Sequence, residues 1–167
     1  SEQNNFGLFV VADGMGGHQQ GERASTIAAQ SVAKVVGNYI FSKMLEEIQE
    51  SCDNKKLMDL MRSALIAAND DVTNRVPGGG TTLTALLLIG SNAIVGHVGD
   101  SRAYMVDSGK LLQLTKDHSL VQKLYDLGEI ASTGIENHPR RNILLRAVGQ
   151  SDILEVDVSE QYVQSGS

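Results

Sequence analysis

One aspartate stands at the end of an apolar run and opens a glycine-rich loop. Leu8 to Ala12 is apolar, Asp13 follows, and four of the next eight residues are glycine. Because glycine has no Cβ, this backbone can pack closely against a ligand. A carboxylate there needs a positive partner, and oxygen ligands suit a hard cation such as Mg²⁺ or Mn²⁺. Asp-Gly is also a common turn dipeptide, so the pattern alone does not separate a metal-binding loop from a plain turn.

Other chemistries fit the glycine-rich segments poorly. The first loop lacks the Gly-Lys-Ser/Thr of a Walker A motif, and Gln19 stands where a dinucleotide fingerprint needs glycine. Ser101 lies between Asp100 and Arg102, but a nucleophile elbow needs glycine at the position of Ala103. A serine hydrolase that uses Ser101 is therefore disfavoured. Inhibition by a chelator, but not by a serine-directed phosphonate, would exclude it.

Hydrophobic periodicity predicts the elements that position these residues. The predicted strands cover 6–12, 81–89, 93–98, 102–106, 110–114, 143–147 and 153–158, and the predicted helices cover 22–43, 55–74 and 119–127. The first two helices are amphipathic, so they should pack antiparallel over one face of a sheet. Short turns between residues 81 and 114 predict an antiparallel meander. Residues 129–142 are predicted to be irregular.

Composition narrows the classes of function. The chain has 167 residues, of which 41% are hydrophobic, so a single domain over 1–167 with a real core is expected. A net charge of −6 disfavours nucleic acid as a partner, since phosphate backbones attract basic surfaces. The one cysteine, Cys52, allows neither an internal disulfide nor a zinc cluster of cysteine pairs. We find no signal-peptide pattern and no membrane-spanning apolar run, so we expect a cytoplasmic setting.

Four motifs and a weaker fifth follow one another along the chain. They are Val-Ala-Asp-Gly-Met-Gly-Gly-His at 11–18, Gly-Thr-Thr-Leu-Thr-Ala at 80–85, Val-Gly-Asp-Ser-Arg-Ala-Tyr at 98–104, Leu-Thr-Lys-Asp-His-Ser at 114–119 and, more weakly, Leu-Arg-Ala-Val-Gly at 145–149. Together they resemble the metal-dependent PPM/PP2C protein phosphatases in their bacterial form. The resemblance implies an α+β fold, a four-layer α/β/β/α sandwich with a flap-like segment at about 119–142.

The resemblance also implies roles for individual residues. Asp13 would bridge two divalent ions, Mn²⁺ or Mg²⁺, and Gly14 would offer its carbonyl oxygen to one of them. Asp100 would bind a third, weaker ion. His18 would be a candidate general acid, because an imidazole titrates near neutrality. The animal-type pattern has histidine where this chain has Met15, so a loop histidine that only forms hydrogen bonds is the alternative.

Structural roles are expected for the other polar residues of these segments. They are Thr81, Thr82, His97, Arg102, Asp117, His118, His138, Arg140 and Arg141. For Arg102, a contact with Asp100 or with phosphate is the alternative to a structural salt bridge. The basic residues at 138–141 are expected to be a solvated loop, with phosphopeptide contact as the alternative.

The implied activity is hydrolysis of phosphoserine and phosphothreonine in proteins by a metal-activated water. A phosphoprotein substrate and a Ser/Thr kinase or its targets are the implied partners. The family's N-terminal Arg and Asn-Glu-Asp run and its later Asp motifs are missing, while Mg²⁺ and Mn²⁺ take about six oxygen ligands. We therefore expect an incomplete domain without its terminal strands, inactive alone or completed by a second chain. The alternative is a pseudophosphatase-type binding module without catalysis.

Overall fold

The computed structural model describes residues 6–45 and 53–163. Cys52 and residues 1–5 lie outside the described residues. In chain order the elements are β1 (Phe6–Val11), β2 (Gly14–Met15), α1 (His18–Leu45), α2 (Asn54–Arg75), β3 (Gly80–Thr81), β4 (Leu83–Ile89), β5 (Asn92–Val98), β6 (Tyr104–Asp107), β7 (Lys110–Gln113), α3 (Leu120–Asp126), α4 (Ser132–Ile135) and β8 (Asp157–Tyr162). Helices and strands are thus combined as predicted.

Four strands form the main sheet in the order β1-β4-β5-β8, and each neighbouring pair is antiparallel. The strands β2 and β3 form one small sheet, and β6 and β7 form another. The predicted β4–β5 and β6–β7 hairpins are present, but they belong to different sheets, so the predicted continuous meander is divided at the Asp100 loop. The centre of the main sheet is therefore built from strands that follow each other closely in the chain.

The two long helices pack antiparallel. Arg23 near the start of α1 lies beside the end of α2, where it donates a hydrogen bond to the carbonyl oxygen of Arg75. Their apolar stripes are buried as predicted. The buried stripe residues are Ala24, Ile27, Ala28, Val32, Val36 and Ile40 in α1, and Leu57, Met61, Ala64, Leu65, Ala68 and Val72 in α2. Gly96 of β5 lets α2 approach the sheet, since a Cβ there would lie 2.6 Å from Met61 Cγ. The helix pair thus covers one face of the sheet.

The opposite face of the sheet has exposed apolar residues on β1 and buried polar residues on β4 and β5. Phe9 and Val11 of β1 are 59% and 60% exposed. Cross-strand pairing places Val11, Thr84, His97 and Asp157 in one row, and within this row Thr84 and His97 are buried. The row lies where the chain leaves β1 toward Asp13, so buried polar groups underlie the predicted site.

Several predicted boundaries are wrong. The first helix begins at His18 instead of residue 22, directly after Gly16 and Gly17, which have φ angles of 105° and 84°. The strand predicted over 153–158 is found at Asp157–Tyr162, and Ile153 is 84% exposed. Apolar content alone misled the prediction there.

Three further segments differ from the prediction. Residues 143–147 make one isolated bridge, from Leu144 to Ser119, instead of a strand, and α4 lies in the segment predicted to be irregular. The strand predicted from residue 102 begins at Tyr104, since Arg102 and its neighbours belong to the loop. Among the described helices, none has the length and apolarity to cross a membrane.

Candidate active site

Asp13 lies just beyond β1 and is tied to the start of β4. Its backbone N–H donates to Thr82 Oγ1 at 3.0 Å, and the Thr82 N–H donates to the Asp13 carbonyl oxygen at 2.9 Å. The Asp13 side chain is exposed and makes no hydrogen bond or ion pair to any residue that the structure describes. The backbone is therefore fixed, while the carboxylate is available to a ligand.

The loop after Asp13 is closed by backbone packing. Gly14 and Met15 pair with Thr81 and Gly80 in the small β2–β3 sheet. A Cβ on Gly14 would collide with the backbone carbonyl of Gly21 in α1, so glycine is required. The helix begins at His18, whose side chain lies outside what the structure describes, and its role as general acid stays a prediction.

The weak fifth motif joins the same region. Thr81 and Val148 exchange two backbone hydrogen bonds of 3.0 and 2.9 Å. Asn69, buried in α2, accepts the Gly149 N–H at 2.8 Å. Residues 145–149 are thus anchored both to the glycine loop and to the helix pair, although they form no strand.

The Asp100 loop is bound to two other motifs. Gly99, with φ of 110°, donates its N–H to His118 Nδ1 at 3.2 Å and accepts the His118 N–H at 2.7 Å. On the other side of the loop, the Ser101 and Thr82 hydroxyl oxygens are 2.8 Å apart. Thr82 contacts both the Asp13 backbone and Ser101, so one buried threonine links the loops that carry Asp13 and Asp100.

The carboxylates of Asp100, Asp117 and Asp13 lie close enough together to affect the pKa of Asp100. Burial raises the pKa of the Asp100 carboxyl, and the neighbouring charges of Asp117 and Asp13 raise that pKa further. A hydrogen bond from its own backbone N–H and the Arg102 charge lower the pKa of Asp100 and offset part of this increase. Clustered negative charge favours protons or metal ions. The structure thus brings Asp13 and Asp100 into one electrostatic environment, and it adds Asp117, for which a structural role was expected.

Arg102 neutralises one of these carboxylates. Its Nε and Nη2 donate to the two oxygens of Asp117, each at 2.8 Å. The Asp117 side chain is 8% exposed, and its hydrogen bond and charge raise the pKa of Arg102. The interpretation of Arg102 as a structural salt-bridge partner is confirmed, and the partner is Asp117 rather than Asp100.

The donor set suits a hard divalent cation in type but falls short in number. Asp13, Asp100 and the Gly14 carbonyl are oxygen donors, whereas Mg²⁺ and Mn²⁺ take about six. Within residues 6–45 and 53–163, no group of three or more His, Cys, Asp or Glu side chains is arranged to hold a metal ion. The described residues therefore fit part of a coordination shell.

A second polar cluster lies behind the Asp100 loop. His118 Nδ1 accepts the Gly99 N–H, so the neutral ring carries its proton on Nε2, which donates to Asp157 Oδ2 at 3.1 Å. Arg146 pairs with Asp157 at 3.2 Å and with Glu155 at 3.0 Å. No sequence signal pointed to Asp157, because its place beside His118 depends on the pairing of β8 with β5.

A cavity of about 550 Å³ lies beside this cluster, next to α3. Its charged lining residues are Lys116, Lys123, Arg146, Asp117, Asp126 and Asp157. Acidic and basic groups balance, so the cavity has no strong preference for an anion. Arg140 and Arg141 are exposed outside it, and their contact with a phosphopeptide stays a prediction.

A family model described as "Protein phosphatase 2C" matches residues 1–142. The chain belongs to this family. The Serine/threonine phosphatase stp of Listeria monocytogenes serovar 1/2a is 38% identical over 155 residues, which are 93% of this chain and 60% of the relative. The Serine/threonine protein phosphatase PstP of Mycobacterium tuberculosis H37Rv is 35% identical over 141 residues, 84% of this chain and 26% of the relative. The protein phosphatase 2C chain thus spans about 60% of the length of the Listeria relative.

Solved structures of protein phosphatase 2C relatives share the fold. The Mycobacterium tuberculosis serine/threonine phosphatase PstP/Ppp has a TM-score of 0.77 and 29% identity, with 98% of this chain and 69% of that chain covered. The PstP catalytic domain in complex with two manganese ions has a TM-score of 0.72 and 28% identity, with 98% and 68% covered. The predicted PP2C-type α+β fold is confirmed.

Proposed function

We propose that this protein phosphatase 2C chain serves in the metal-dependent hydrolysis of phosphoserine and phosphothreonine in proteins. The convergence of four sequence motifs around Asp13 and Asp100 carries the proposal. Thr82 joins the Asp13 backbone to Ser101, and the backbones of Gly99 and His118 join the next two motifs. A purely structural loop would not require carboxylates from separate motifs to lie together at an electrostatic cost.

Asp13 and the Gly14 carbonyl would hold two core ions, and Asp100 a third. Divalent ions supply Lewis acidity and lower the pKa of water, which provides a nucleophile at neutral pH. The crystal structure of the PstP catalytic domain with two manganese ions supports the presence of two core ions. His18, at the start of α1 beside the glycine loop, would be the general acid that protonates the leaving group.

Few ligands are present in the described part of the chain, so we propose that the chain alone has little or no activity. Residues outside the described ones, in this polypeptide or in a second one, would supply the remaining carboxylates. Phosphoproteins, including a Ser/Thr kinase or its targets, would be the substrates, in a cytoplasmic setting.

Hydrolysis of p-nitrophenyl phosphate with and without Mn²⁺ tests the proposal on wild type, Asp13→Ala and Asp59→Ala. Asp59 is an exposed carboxylate on α2 and is the matched control. Turnover that needs Mn²⁺ and is lost only in Asp13→Ala would support a working site in this chain. Turnover that is unchanged in Asp13→Ala would contradict the proposal.

If no variant turns over, Mn²⁺ titration by calorimetry distinguishes the remaining cases. Binding to wild type that is lost in Asp13→Ala would support a metal site that lacks further ligands. The alternative function is a binding module without catalysis, and the Asp13-Gly14 loop and Asp100 argue against it, since such a module has no need of metal ligands. That alternative predicts phosphopeptide binding that needs no Mn²⁺ and is unchanged in Asp13→Ala.

A further inference from the structure

His97 is a buried histidine with a partner at each ring nitrogen. It lies in β5 on the sheet face away from the helices, and it is 2% exposed. Its Nδ1 is 2.9 Å from Thr84 Oγ1, and its Nε2 is 3.1 Å from the Lys116 carbonyl oxygen. Both ring nitrogens are therefore satisfied, as the burial of a polar ring requires.

Both contacts lead to the loops of the candidate site. Thr84 Oγ1 also lies 3.0 Å from the carbonyl oxygen of Ser101, the residue after Asp100. Lys116 directly precedes Asp117. The His97 imidazole and the Thr84 hydroxyl therefore connect the backbone beside Asp100 to the backbone beside Asp117. The side chains of these two aspartates carry like charges.

The hydrogen-bond pattern defines the tautomer of His97. A carbonyl oxygen only accepts, so Nε2 carries the proton and donates to Lys116. Burial, together with nearby His118, lowers the pKa of His97, so Nδ1 is an acceptor at neutral pH. The single hydroxyl hydrogen of Thr84 is then shared between Nδ1 and the Ser101 carbonyl. The bridge is formed by the neutral ring.

We propose that His97 is a positioning residue of the candidate site, which sets the separation of the Asp100 and Asp117 loops through Thr84 and Lys116. The Asp100 and Asp117 carboxylates repel each other, and the bridge acts together with the Arg102–Asp117 pair to hold the two loops in place. The effect of His97 on metal binding rests on the proposed function, whereas its effect on the loops does not. The loop geometry itself can be measured without metal.

Three variants separate positioning from packing. His97→Leu introduces an apolar side chain of similar bulk and removes both hydrogen bonds. His97→Gln retains an amide N–H that can reach the Lys116 carbonyl oxygen. Ile94→Ala is the control, because Ile94 is fully buried on the same strand but faces the helices, so it lowers stability without contact with the bridge.

Amide hydrogen exchange is the first measurement. The His118 N–H to Gly99 and the Ala103 N–H to Thr115 link the two loops. In His97→Leu these two amides should exchange at least about tenfold faster relative to the amides of α1 and α2. In Ile94→Ala all protected amides should accelerate together. Loop amides of His97→Leu that keep pace with the helices would overturn the proposal.

Mn²⁺ titration is the second measurement, at a temperature where every variant is folded by circular dichroism. His97→Leu should weaken binding about tenfold, as loss of an outer-shell partner does. His97→Gln should recover most of the affinity, and Ile94→Ala should stay within about twofold of wild type. Equal affinity of wild type and His97→Leu would contradict the proposal. Absence of binding in wild type would count against the proposed metal site, while the exchange data still decide the role of His97.

Nitrogen-15 spectra of the histidine rings give an independent reading. Wild type should show the Nε2–H tautomer for His97 at pH 7. An Nδ1–H tautomer would contradict the bridge to the Lys116 carbonyl.

Discussion

Arg102 and Asp117 form two parallel hydrogen bonds, Nε to Oδ1 and Nη2 to Oδ2, each 2.8 Å long. The Asp117 side chain is 8% exposed, while that of Arg102 is 40% exposed. The pair lies beside Asp100, whose pKa the Asp117 charge raises. Arg102 thus places a positive charge against a buried carboxylate next to the candidate metal site.

Replacement of Arg102 by glutamine should leave the Asp117 carboxylate buried and unpaired. We expect a loss of about 2 kcal/mol in the free energy of unfolding, less than for a fully buried pair because Arg102 is partly solvated. Urea denaturation at pH 7 measures the change. Lys116→Gln is the control, since it breaks the exposed 2.7 Å pair with Asp126 and should cost less than about 1 kcal/mol. Equal losses in the two variants would refute the argument.

Replacement of Asp100 by asparagine should stabilise the chain in the absence of metal. Its carboxyl pKa is raised in the folded state, so the charged form destabilises the fold at neutral pH and the neutral amide does not. We expect a gain of about 0.5 kcal/mol, kept small by solvent screening. Urea denaturation in EDTA measures this gain, and Asp59→Asn on the exposed side of α2 is the control. A loss of stability in Asp100→Asn would show that the acidic cluster is not repulsive.

Mn²⁺ should reverse the order of stability of these two proteins. A ligand that binds only the folded state stabilises it, so wild type should gain more than Asp100→Asn when Mn²⁺ is added. Thermal melts at increasing Mn²⁺ concentration would measure the gain. If both proteins respond equally, Asp100 is not a metal ligand in this chain.

Stability should fall below neutral pH because of His97. Its pKa is lowered in the folded state, so folding disfavours the proton, and the stabilising contribution is full above the ordinary pKa of about 6.5. That contribution is lost as the pH falls from there toward the folded pKa. Unfolding free energies of wild type and His97→Gln between pH 8 and about pH 5 should converge as the pH is lowered. Parallel curves would rule out His97 as the cause.

Replacement of Gly99 by alanine should be more costly than replacement of another glycine with positive φ. A Cβ on Gly99 would lie 2.7 Å from the side chain of Thr82, and its φ is 110°. Gly109, at the tip of the β6–β7 hairpin, has φ of 76° and open space around it. We expect about 3 kcal/mol for Gly99→Ala and about 1 kcal/mol for Gly109→Ala, measured by urea denaturation. Similar losses in the two variants would show that the positive φ angle alone, and not the contact with Thr82, determines the loss of stability.

Local patterns were sufficient to predict the frame of the site. The stripes of α1 and α2, the hairpins and the end of the first strand before Asp13 all follow from spacing within a few residues. A structural role was predicted for His97, and the residue is buried in β5. Its contacts with Thr84 and Lys116 could not be predicted, because they depend on how β4, β5 and the 114–119 segment come together.

Long-range register explains what the sequence could not show. The hydrogen bond from Asp13 to Thr82 joins residues 69 positions apart, and it exists only because β1 pairs with β4 in one register. Asp157 reaches His118 only because β8 starts at that residue and pairs with β5. The apolar residues from Ile153 onward predicted an earlier strand, since composition does not show where a ladder begins.

The close approach of Gly14 to Gly21 makes the glycine loop and α1 mechanically one body. No side chain separates the two backbones, so displacement of the loop must also displace the start of the helix. α1 has 28 residues and is about 42 Å long, so a tilt of only about 1.5° at its start would move its far end by about 1 Å. A dye attached to exposed Asn38 would therefore report small rearrangements of the Asp13 loop as larger displacements, at a position remote from the loop itself.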